Sequence, residues 1–199
     1  GFFPEQASQW SWLEKIVQER TKKGVPTKVL NLFAYTGVAS SVAARAGASV
    51  CHVDSAKGSV HWASENARRN ELEELPIRWI VDDVRKFVQR EVKRGSKYDI
   101  ILLDPPAFGR GAKGEIWRLA DDLPELLTNI AELYSAAPAA FLMNFYATEL
   151  YPQAITRLCN DVLREKLGGS VAHQPVGLLQ SEGKEVVQTG ESVYWSKEG

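Results

Sequence analysis

The sequence predicts an α/β fold, a mostly parallel sheet with helices on both faces. Three observations lead there. Short apolar runs alternate with helical patterns from end to end, the order of βαβ units. Runs such as IILL (Ile100 to Leu103) are apolar throughout, as a strand covered on both faces requires. Carboxylates follow successive runs, at the sheet edge where ligands of such folds bind.

The elements follow in order. Pro4 to Lys23 reads as a helix, with Pro in the first turn and Trp10, Leu13, Ile16 and Val17 on one face. Gly24 and Pro26 stop it. KVLNLF (Lys28 to Phe33) is a buried strand, then a turn and a short helix, Val38 to Ala46. ASVCHVD (Ala48 to Asp54) is the second strand, Ala56 to Asn70 a helix and IRWIV (Ile77 to Val81) the third strand. Asp83 to Arg94 is a helix and KYDIILLD (Lys97 to Asp104) the fourth strand. Leu119 to Ser135 is a helix, AAFLMNF (Ala139 to Phe145) the fifth strand and Glu149 to Lys166 a helix. Two β-like runs close the chain, Ser170 to Leu179 and Glu185 to Trp195. Residues 1–24 are thus a helix leading into the domain over 25–199.

A chain of 199 residues suffices for one domain with a sizeable core. Its 44% hydrophobic and 25% charged residues exclude a disordered chain. The net charge of -1 argues against a nucleic-acid grip built on overall charge, though not against a local basic patch. Cys51 and Cys159 read as small core residues, which suits a reducing, cytoplasmic setting. No apolar run approaches the ~20 residues of a membrane span. The three histidines share no metal-ligand spacing, so no metal is expected. Gly1 opens the sequence without an initiator Met, which fits a fragment and leaves room for an upstream domain.

NLFAYTGVAS (Asn31 to Ser40) turns from the first strand into a helix. Gly37 can take positive φ there, and its missing side chain would let a ligand approach. The dinucleotide fingerprint G-x-G-x-x-G is absent, which weakens a pyrophosphate-binding reading. Asp54, followed by Ser55, is placed to accept from a ribose diol; the plainer role is a helix cap. VDDV offers Asp82 and Asp83, one to cap the next helix and the other to meet an adenine amino group. Together these fit an adenosine without a pyrophosphate.

The fourth strand runs into DPPAFGR. Pro105 and Pro106 stiffen the turn after Asp104 and end the sheet. Their carbonyls are expected to point into the site and Phe108 to offer a flat apolar face. Gly109 and Gly111 should leave the continuation mobile. Arg110, Lys113 and Arg118 bring positive charge to the mouth, and Trp10 and Trp117 are candidates for the pocket wall.

NLFAYTG, HVD, VDDV and LDPPAF together resemble the class I S-adenosylmethionine-dependent methyltransferases. Within these the chain is most similar to the large-subunit ribosomal RNA methyltransferases that often carry a PUA domain. The resemblance runs from GFFPEQ to the last strand. It implies a Rossmann-like sheet of seven strands ending in an antiparallel hairpin. It also implies that Asn31, Phe33, Ala34, Tyr35, Thr36 and Gly37 line the methionine part, with Gln6 nearby, and that Asp54 and Ser55 meet the ribose. Asp82, Asp83 and Val84 then fall at the adenine, while Asp104, Pro105, Pro106 and Phe108 orient the acceptor. The resemblance implies RNA, ribosomal RNA in particular, as the substrate.

Two departures stand out. Ala7 and Trp10 occupy positions where the family carries arginines. Family members that methylate carbon 5 of cytosine need a thiolate after the fifth strand, where this chain reads LMNFYAT. An acceptor nitrogen with its own lone pair is therefore expected. The rivals are a methyltransferase for a small molecule or protein, a non-catalytic adenosine-binding module, and an NAD-dependent oxidoreductase.

Overall fold

The computed structural model describes residues 2–111, 114–146, 150–179 and 186–197. Gly1, Lys113, Ala147, Thr148, Glu149 and Glu185, which figure in the expectations above, lie outside them. A 3-10 turn, Pro4–Gln6, leads into α1 (Ala7–Lys22). The alternation then runs β1 (Lys28–Leu32), α2 (Val38–Arg45), β2 (Ser49–Asp54), α3 (Lys57–Arg69), β3 (Ile77–Val81), α4 (Val84–Arg94) and β4 (Ile100–Leu103). A small hairpin, β5 (Phe108–Arg110) and β6 (Ile116–Arg118), precedes α5 (Leu119–Leu133). The chain closes with β7 (Ala140–Phe145), α6 (Pro152–Leu167), β8 (Ala172–Leu179) and β9 (Val186–Ser196).

The main sheet has seven strands in the order β3-β2-β1-β4-β7-β9-β8. Five are parallel, and β9 runs antiparallel to both β7 and β8. The expected architecture is the one found. Strand order reverses between β1 and β4, so their loops diverge and leave a crevice at their carboxyl ends.

Period-two alternation sorts the core into two layers. On β4, Ile101 and Leu103 pack with Phe87 and Val88 of α4, Leu123, Leu126, Leu127 and Ile130 of α5, and Leu163 of α6. Ile100 and Leu102 face Leu13, Ile16 and Val17 of α1 and Ala43 and Ala44 of α2. Residues 1–24 are thus more than a lead-in, because α1 supplies part of one core layer. Burying a side chain such as Leu13 contributes about 1.5–3 kcal/mol.

The hairpin corrects the mobile continuation expected after DPPAF. Phe108 pairs with Arg118, Gly109 with Trp117 and Arg110 with Ile116. Trp117 is the cause: its ring is buried against Phe33, at 4.9 Å between centroids, and its indole N–H donates to the Pro106 carbonyl at 2.7 Å. Apolar burial and one hydrogen bond together fold the hairpin back on the domain. Among the described residues no helix is long and apolar enough to cross a membrane.

Candidate functional site

The site begins where β1 ends. Phe33 (φ 55), Tyr35 (φ 46) and Gly37 (φ 82) all enter the left-handed region within five residues. For a side-chain-bearing residue this costs on the order of 1–3 kcal/mol, so the surroundings must hold it. They do. Ala34 N–H donates to the Val53 carbonyl at 3.1 Å, Tyr35 N–H to Asp54 Oδ2 at 2.9 Å, and Gly37 N–H to the Ala34 carbonyl at 3.1 Å. A Cβ on Gly37 would come within 2.8 Å of the Ala63 Cβ. The space freed by this glycine is therefore taken by α3, which corrects the reading that gave it to a ligand.

Behind the turn lies a buried polar chain. Asn31 donates its amide to Ser40 Oγ at 2.9 Å, and Ser40 meets His52 Nδ1 at 3.0 Å. Burial pushes the His52 imidazole down to about 4. His52 is therefore neutral, and its Nε2 has no partner among the described residues. Asn31 thus ties β1 to α2 while its residue also lines the crevice.

Two hollows lie near the end of β2; Asp54 lines neither, but Tyr35, which it holds, lines one and Ser55 the other. One is lined by Phe33, Ala34, Tyr35, Thr36 and Gly37 with Gln6, Asp104 and Asn144. The other is lined by Phe33, Ser55, Asp83, Val84, Pro106 and Trp117. Asp54 Oδ1 accepts from Ala56 N–H at 2.8 Å, so each oxygen holds one backbone bond and keeps a lone pair. Burial nevertheless pushes this carboxyl upward, against those two bonds. The two acids after β3 do not divide one to the cap and one to the ligand, as expected: both features fall to Asp83. Asp83 caps α4 by accepting from Lys86 N–H at 3.1 Å and lines the second hollow. Asp82 pairs with Arg90 and lines neither hollow.

Asp104 follows β4 and faces the first hollow. Burial pushes its carboxyl up to about 6; a hydrogen bond from Gln6 opposes the shift and the charge of Glu5 adds to it. Pro105 is buried, while Pro106 and Phe108 are exposed. Of the carbonyls expected to point inward, that of Pro106 is occupied by Trp117. Phe108 is half exposed, with the Arg118 guanidinium 5.6 Å from its ring centre.

Several residues at the site escaped the sequence reading. Gln9 and Asn144 exchange both amide bonds, at 2.8 and 2.9 Å, and join α1 to the end of β7. Tyr146 accepts from Gln6, and Phe3 packs between Tyr35 and Tyr146 at 5.9 and 6.0 Å. Only Asn144 had a signal, a polar side chain ending an apolar run. Trp10 lines the first hollow and Trp117 the second.

The model of the S-adenosylmethionine-dependent methyltransferase family matches residues 11–151, well over half of the chain. The chain belongs to this family. A crystal structure of a member from Agrobacterium tumefaciens superposes with a TM-score of 0.91 at 42% identity, covering 98% of this chain and 63% of that one. Ribosomal RNA large subunit methyltransferase I of Aeromonas salmonicida is 30% identical over 156 residues, 78% of this chain and 37% of the relative. Ribosomal RNA large subunit methyltransferase K/L of Shewanella frigidimarina is 35% identical over 123 residues, 61% of this chain and 17% of the relative. The chain thus spans less than half the length of either curated relative. A methyltransferase solved with S-adenosylhomocysteine shares the fold at a TM-score of 0.69 and 24% identity, over 97% of this chain and 49% of that one. The family's cofactor is S-adenosylmethionine.

Proposed function

We propose that this chain transfers a methyl group from S-adenosylmethionine to a nitrogen of a base in large-subunit ribosomal RNA. The observation that carries the reading is Asp54, a carboxylate with spare lone pairs at the end of β2, bonded to Tyr35 of the first hollow and followed by Ser55 of the second. The residues fit the cofactor. Asn31, Phe33, Ala34, Tyr35, Thr36, Gly37 and Gln6 surround the methionine part, and Asp54 and Ser55 take the ribose. Asp83 and Val84 border the adenine between Phe33 and Pro106, and Asp82 acts at one remove by holding Arg90. The family relatives named for ribosomal RNA support the substrate class.

Bound S-adenosylmethionine supplies a methyl group as a cation equivalent and is left as a neutral thioether. The chain's own part is alignment and proton removal. Asp104 stands at the acceptor end to take the proton the nitrogen gives up, Pro105 and Pro106 fix its loop, and Phe108 offers its face to a base. Cysteine catalysis is not available. Cys51 and Cys159 are both buried, and burial pushes their thiols up to about 11 and about 12. We further propose that residues 25–199 form the catalytic domain, with 1–24 as the helix that enters it and walls the site.

The net charge of -1, with Ala7 and Trp10 in place of arginines, favours a second reading, a small-molecule or protein acceptor. At the mouth, Arg110 and Arg118 form no ion pair among the described residues, which supports RNA. Calorimetric titration with S-adenosylhomocysteine and with NAD tests the cofactor: saturable binding of the first alone is expected. Methyl labelling of bulk RNA, but not of protein or small metabolites, tests the substrate.

A further inference from the structure

Gln6 reaches the acceptor end of the crevice from the N-terminal turn and is buried there. Its amide nitrogen donates to Asp104 Oδ2 at 2.9 Å and to the Tyr146 hydroxyl at 2.8 Å. An amide nitrogen carries two hydrogens, so both are used. Tyr146 accepts from Gln6 and must turn its own proton elsewhere. Among the described residues nothing takes that proton, and nothing donates to Asp104 Oδ1. One amide thus holds both a carboxylate with a vacant oxygen and a hydroxyl with a vacant proton.

The position of Tyr146 is built. It directly follows β7, and Gly190 of β9 lies against its ring. A Cβ on Gly190 would come within 2.7 Å of that ring, and Gly190 is not in the left-handed region. This glycine supplies space, not backbone freedom. Phe3 also packs against the ring, at 6.0 Å between centroids. Burial pushes the Tyr146 phenol up to about 12, with the Asp104 charge adding, so it keeps its proton at neutral pH.

We propose that Asp104 Oδ1 and the Tyr146 hydroxyl form one recognition pair for the methyl acceptor, with Gln6 as the positioning residue. The pair takes a planar group that offers an N–H beside a lone pair, the amide-like or amidine-like edge of a nucleobase. This rests on the methyl-transfer reading above. The acceptor N–H donates to Asp104, and its neighbouring lone pair accepts from Tyr146. As the new N–CH3 bond forms, the nitrogen's proton passes to Asp104 Oδ1. An alkyl ammonium, which has donors only, satisfies half of the pair and leaves Tyr146 unpaired. The pair therefore selects against lysine side chains and simple amines.

The test uses the whole chain with an unmodified transcript of large-subunit ribosomal RNA and methyl-labelled S-adenosylmethionine. Tyr146→Phe should lower kcat/KM for RNA by about tenfold or more, one lost hydrogen bond to the reacting edge, while S-adenosylhomocysteine binding stays within about twofold. Gln6→Leu should move the acid limb of the pH–rate profile upward, because the carboxylate loses a donor. It should also raise the Asp104 pKa read by carboxyl carbon NMR in the ligand-free protein. Unchanged circular dichroism and a cooperative thermal transition certify that each variant is folded. Unchanged kcat/KM in Tyr146→Phe, or an unmoved Asp104 titration in Gln6→Leu, would overturn the inference. If wild-type protein binds S-adenosylhomocysteine but labels no RNA, the substrate reading falls instead. The NMR titration then still judges the unit of Gln6, Asp104 and Tyr146.

Discussion

Asp54 and Asp104 are both carboxylates at strand ends, and their neighbours give them different work. Asp54 is held by two backbone N–H groups, those of Tyr35 and Ala56, beside the turn after β1. Asp54→Ala should weaken S-adenosylhomocysteine binding by ~1–3 kcal/mol, read by calorimetry. Asp104→Ala should instead lower turnover more than cofactor affinity, and equal effects in the two variants would refute the division. Asp104 also fixes a pH dependence. With its carboxyl pushed up to about 6, transfer should fall as pH drops through that value, and Asp104→Asn should lose both activity and that limb. The sign for stability is the reverse of the usual carboxylate case. Between the ordinary value of 3.8 and about 6, the native carboxyl keeps a proton that the unfolded chain has released. Its contribution to stability therefore falls as pH rises through that window. Asp104→Asn should gain on wild type in denaturant midpoint as pH rises from 4 to 7.

At the scale of elements, the turn after β1 and the helix α1 carry the site. Gly37 has φ 82, and an added Cβ would strike Ala63. Gly37→Ala should destabilise the fold by ~1–3 kcal/mol, measured by urea unfolding, from backbone strain and from pushing α3 off the turn. Leu13 of α1 is 1% exposed, and Leu13→Ala should cost ~2–5 kcal/mol. Because α1 also presents Gln9 to Asn144, that variant should lose methyl transfer at temperatures where the sheet still melts cooperatively. The strands and helices were legible to within a few residues, because apolar periodicity is a local signal. The β5–β6 hairpin was not. Glycines in a polar stretch read as a loose loop, and only the burial of Trp117 against Phe33 makes them a hairpin.

For the whole molecule, the crevice lies between two halves of the sheet that share β1 and β4. A ligand there joins loops after β1, β2, β3 and β4, so binding should stabilise the domain as a unit. S-adenosylhomocysteine at about 100 times its Kd should add about 2.7 kcal/mol, seen as a rise in Tm, while NAD at equal concentration should leave Tm unmoved. The N-terminal segment belongs to this unit, since the 3-10 turn and α1 touch the loops after β4 and β7.

By itself the sequence determined the α/β alternation, the turn after the first strand and the acids at the strand ends. Each of these is written in neighbouring residues: apolar runs, turn glycines, a carboxylate at a strand end. Tertiary structure alone decided which side chains meet. Gln6 and Asp104 are 98 residues apart, Gln9 and Asn144 are 135 apart, and Gln6 and Tyr146 are 140 apart. No periodicity links residues at such separations. They come together because α1 buries its apolar face on the sheet, and that packing delivers the N-terminal amides to the ends of β4 and β7.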